Sequence, residues 1–133
     1  MGSWFQHSAL FEALKWMARQ DQVVVVTSDH GAVLSRRSAL VYGNRETSTN
    51  LRFKYGTNLG CDPKQAVSIK DPARFRLPAD QPHKQYIIAK EDFYFIYPTK
   101  FHEYESKYRG SFQHGGISLE EMILPVATLT PKG

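Results

Sequence analysis

The chain of 133 residues has a single cysteine, Cys61, so it holds no internal disulfide framework and suits a reducing compartment. No secretory leader is expected, and no apolar run comes near the ~18 residues that a transmembrane helix needs. Internal repeats, low-complexity tracts and linkers are also missing, so at this length it is one domain at most. Like charges are not blocked together. The net charge of +4 comes from scattered basic residues, which favours anionic partners such as phosphate esters or nucleic acid without singling one out. There is no helix-turn-helix pattern and no basic helix suited to a major groove. What is present is ordinary for a globular domain, 41% hydrophobic and 23% charged, enough to bury a sizeable core.

The chain is organised around Val23-Val24-Val25-Val26-Thr27-Ser28-Asp29-His30-Gly31. Four β-branched residues without alternation predict a strand buried on both faces, as in the middle of a parallel sheet. Ligands in open α/β sheets sit outside the carboxyl ends of strands, where this run delivers a carboxylate beside an imidazole. Asp29 and His30 are therefore candidate metal ligands. Neighbours on a regular strand point oppositely, and Gly31 permits the turn that would let them converge. A capping Asp beside a solvated His is the competing reading.

Ser3 to Gln20 reads as one amphipathic helix opened by a Ser3…Gln6 capping box. Residues 32–43 read as a hairpin turning at Arg36-Arg37, and 43–50 as turn-rich. Leu51 to Tyr55 alternates and predicts a half-exposed strand with Arg52 and Lys54 on its polar face. The proline-rich stretch 56–82 reads as irregular. Residues 85–89 and 93–97 read as two strands of an antiparallel hairpin joined by Lys90-Glu91-Asp92. Phe101, Tyr104 and Tyr108 mark one face of a short helix, and 110–116 a loop carrying His114. Ser118…Glu121 is a further capping box, and 124–129 a closing edge strand.

The second informative stretch is Phe112-Gln113-His114-Gly115-Gly116-Ile117-Ser118-Leu119-Glu120-Glu121. Together with Thr27-Ser28-Asp29-His30-Gly31 and the stretch from Gly43 to Arg52, in that order, it resembles the C-terminal part of a PglZ domain of the alkaline phosphatase superfamily. In particular, it looks like the version attached to two-component response regulators of the PorX type. The resemblance spans residues 4–132, with 1–3 reading as a remnant outside the domain. It implies an α/β fold: the C-terminal portion of a parallel or mixed sheet with flanking helices and an antiparallel hairpin. It implies a zinc-dependent phosphoesterase or phosphodiesterase with two zinc ions. Asp29 and His30 would ligate one of these and His114 the other. Arg45, within the matched stretch, could hold a substrate phosphate with its guanidinium or serve in a structural salt bridge. Two metals about 3.5–4 Å apart clamp the attacking and leaving oxygens of phosphoryl transfer.

No catalytic nucleophile is found in the chain. The resemblance puts it upstream with further metal ligands, so these residues alone are expected to be inactive. The implied setting is the cytoplasm, with a receiver domain and the other half of the domain upstream. Partners would be a phosphate ester or nucleotide substrate, a sensor kinase and a sigma factor, in control of type IX secretion. Contact with a membrane is not expected. Self-association is expected, because a buried strand needs neighbours on both sides. The alternative is a non-catalytic output module that binds a protein partner or DNA. The remaining histidines, His7, His83 and His102, have no spaced partner and read as surface residues.

Overall fold

The computed structural model describes residues 2–43 and 50–132. In order, these form α1 (Gly2–Gln6), α2 (Ala9–Arg19), β1 (Val24–Thr27), β2 (Val33–Leu34), β3 (Arg37–Leu40), β4 (Phe53–Gly56) and β5 (Ala66–Ile69). There follow β6 (Gln85–Ala89), β7 (Phe93–Ile96), α3 (Phe101–Tyr108), β8 (Phe112–Gln113), α4 (Leu119–Met122) and β9 (Val126–Leu129). Helices mixed with small sheets, one of them parallel, give the α/β class that was expected. Among the described residues no helix is long and apolar enough to cross a membrane.

The chain divides into two units, Met1–Asp29 with Leu124–Gly133, and His30–Ile123. In the first, the expected single helix is two. Ser8 ends α1 and caps α2, its hydroxyl donating to the Phe5 carbonyl at 2.6 Å and accepting from the Phe11 N–H at 3.2 Å. A serine hydroxyl competes with helical backbone bonds in this way and moves the boundary onto itself. The valine run forms β1, but it is not the buried centre of a parallel sheet. It pairs antiparallel with β9, from Val24 opposite Leu129 to Thr27 opposite Val126. Val23 and Val25 stay about three-fifths exposed. β-Branching specifies an extended chain, whereas orientation and cover depend on which other segment arrives beside it.

The second unit holds the core. Strands β4, β6 and β5 form an antiparallel sheet with β6 in the middle, and β3 runs parallel to β7. Ala39, Val41, Leu59, Ala66, Ile87, Ala89 and Phe95 pack into one buried cluster. Leu51, Tyr94 and Ile96 form another, against which Phe101, Tyr104 and Tyr108 rest, so the predicted face of α3 is the one it buries. Each large side chain removed from water contributes roughly 1.5–3 kcal/mol.

Three local expectations for this unit fail. There is no hairpin at Arg36-Arg37, because β2 pairs with the distant β8 and β3 with β7. The antiparallel hairpin expected from 85–97 is absent too. Lys90–Asp92 does turn the chain, the Phe93 N–H donating to the Lys90 carbonyl at 3.1 Å, but β6 and β7 each pair with other strands. The stretch 56–82 is not wholly irregular, since β5 lies within it and pairs with β6. Turn signals place the chain reversals correctly here, but say nothing of which strands pair.

Candidate functional site

The short ladder between β2 and β8 brings two distant segments together. Val33 pairs with Gln113 and Leu34 with Phe112. One further antiparallel step would set Ala32 opposite His114, with His30 on the diagonal beyond it, within reach of a ring-sized side chain. The rings of His30 and His114 do meet, with centroids 3.9 Å apart and planes inclined by 13°. Both residues are exposed. His30 Nδ1 lies 2.9 Å from the carbonyl oxygen of Gly31. A carbonyl can only accept, so Nδ1 is the donor in this bond, and ligation of a metal by this ring would fall to Nε2. Histidines that bind metals are commonly fixed in this way, through a hydrogen bond from the other ring nitrogen to a backbone carbonyl.

Two imidazoles in this arrangement fit the donor chemistry of zinc, but supply only two of the three or four donors it takes. Asp29, also exposed, is the last residue of the first unit. Among the described residues no group of three or more His, Cys, Asp and Glu side chains is gathered to hold a metal ion. The structure thus brings together His30 and His114 of the three anticipated ligands. Arg45, anticipated to hold phosphate, lies outside the described residues, as does most of the turn-rich stretch around it. His7, in the turn after α1, bonds back to that helix, Nδ1 to the Ser3 carbonyl at 2.7 Å.

Behind the histidine pair lies a feature that the alternation in 51–55 misjudged. Arg52 and Lys54 are buried, 0% and 1% exposed, while Phe53 and Tyr55 are the half-exposed residues. Arg52 forms a two-pronged ion pair with Glu121, Nε to Oε1 at 2.9 Å and Nη2 to Oε2 at 2.6 Å. It also donates to the carbonyls of Glu91, at 2.7 Å, and Phe93. Burial pushes the Glu121 carboxyl upward. Hydrogen bonds from Arg52 and from the N–H groups of Ser118 and Gly116 outweigh that and hold it at about 2. The Ser118…Glu121 capping box was legible; that its carboxylate also binds a buried arginine was not. The remaining signal was Arg52 itself, within a stretch already singled out.

Residues 4–129 match the family described as BREX system PglZ alkaline phosphatase-like domain. No curated protein matches the sequence.

Proposed function

The chain belongs to the PglZ family of alkaline phosphatase-like domains, a phosphoesterase-type domain, and from this premise we propose that it forms part of a zinc-dependent phosphoric ester hydrolase. The observation that carries the proposal is the stacking of His30 on His114, with Nδ1 of His30 committed to a backbone carbonyl. His30 would ligate through Nε2, together with Asp29, and His114 would serve the neighbouring ion. Bound zinc would supply Lewis acidity toward the phosphoryl oxygens. Arg45 would orient the substrate by pairing with phosphate oxygens. The nucleophile and the missing ligands would come from an upstream segment of the same domain.

A finer form of the reading makes the domain the effector of a cytoplasmic response regulator acting in type IX secretion. The ordered likeness of the three motifs supports it. The matched family is described by the BREX system instead, and supports the domain type alone.

The test is turnover of an activated aryl phosphate monoester and diester by the full-length protein. The expected result is hydrolysis that stops on chelation and returns with zinc. Partner binding that ignores chelators, with no hydrolysis, would replace the enzyme by a binding module.

A further inference from the structure

We propose that the Arg52–Glu121 ion pair holds His30 beside His114, and that Arg52 and Glu121 are positioning residues of the candidate centre. The supporting role toward a metal rests on the reading above; the holding of the two rings does not. The β2–β8 ladder has two residue pairs and stops short of both histidines, so it cannot fix the rings by itself. Glu121 supplies what the ladder lacks. Its backbone carbonyl accepts the N–H of Gly31, next to His30, at 3.3 Å. Its carboxylate accepts the N–H of Gly116, two residues after His114, at 2.9 Å, and that of Ser118 at 3.0 Å. One residue therefore ties down both histidine-bearing segments.

The approach is close on both sides. A Cβ on Gly31 would collide with the Glu120 carbonyl, and one on Gly116 with the Arg52 guanidinium. Gly115 adopts φ +103, a conformation that L side chains rarely take, and lies against Asn50 and Phe53. Arg52 is fixed in turn, because it donates to carbonyls in the turn between β6 and β7 as well as to Glu121. Burying an ion pair is a poor route to stability alone, since apolar pairs of similar volume often do as well. Glu121 instead makes directional bonds to the two segments whose relative placement the site requires, one through its backbone carbonyl and one through the carboxylate that Arg52 holds in place.

The experiment uses the full-length protein with isotope-labelled histidine, its signals assigned through His30→Gln and His114→Gln. Stacked rings shift each other's carbon-bound protons upfield, with or without metal. In Glu121→Gln and in Arg52→Lys, which keeps the charge but loses the fork, that mutual shift should shrink toward zero while far-ultraviolet circular dichroism stays native. Zinc affinity should fall by about tenfold or more, as for other residues that orient ligands. Folded variants with an unchanged mutual shift would overturn the proposal, whatever their melting temperatures. Should either variant unfold, amide exchange on the unaltered protein decides. Protected Gly116 and Ser118 amides support the clamp, and exchange at free-loop rates overturns it. A mutual shift lost in both variants of a protein that never binds zinc would uphold the clamp and sink the metal reading.

Discussion

Arg52 meets Glu121 through both prongs of its guanidinium, at 2.9 and 2.6 Å, with the two side chains 0% and 3% exposed. Their partnership should be visible in acid. The Glu121 carboxyl sits at about 2, below its ordinary 4.5, so its contribution to stability is complete above the unfolded value and is lost as pH falls from there toward about 2. The shift corresponds to at most about 3 kcal/mol. Urea midpoints measured from pH 6 to pH 3 should fall more steeply for the unaltered protein than for Glu121→Gln. Parallel declines would show that the pair contributes nothing in solution.

Lys54 should act at the other end of the scale. Burial lowers its ammonium from 10.5 to about 8. Between those values the unfolded chain binds more protons than the folded one, so stability should rise with pH from about 8 to about 10.5. The gain is at most about 3 kcal/mol. Lys54→Met should remove this rise and be the more stable form at neutral pH. A difference between the two proteins that does not vary with pH would contradict the account.

The isolated chain should self-associate. Strands β1 and β9 pair only with each other among the described residues, so each presents an outer edge. Trp4, Trp16, Val23 and Val25 are all more than half exposed. Open edges and apolar surface of this kind recruit other chains. Sedimentation should show mass increasing with concentration, and a clean monomer at high concentration would count against it.

What could be read in the sequence was mostly local. Ser118 and Glu121 lie within one turn of each other, and the carboxylate half of the cap they announce is there, Glu121 accepting the Ser118 N–H at 3.0 Å. The periodicity of Phe101, Tyr104 and Tyr108 gave the correct buried face of α3. The burial of Arg52 could not be read, because its partner lies 69 residues away and alternation cannot register a distant carboxylate. For the same reason the valine run gave a strand but not its antiparallel partner near the other end of the chain. Candidate histidines could be named from residue type and neighbouring glycines. Their meeting depends on the β2–β8 register, which only the folded chain displays.

The most direct test of the central claim is zinc content, measured by elemental analysis of the full-length protein after exhaustive buffer exchange. The unaltered protein should retain zinc, and His30→Ala, His114→Ala and Asp29→Ala should each retain less while staying folded. His114→Ala decides, because His114 reaches the site only through the fold, and its ring stacks on that of His30. A His114→Ala protein with its zinc content intact would remove this histidine from the centre, and with it the account of the pair as a metal site.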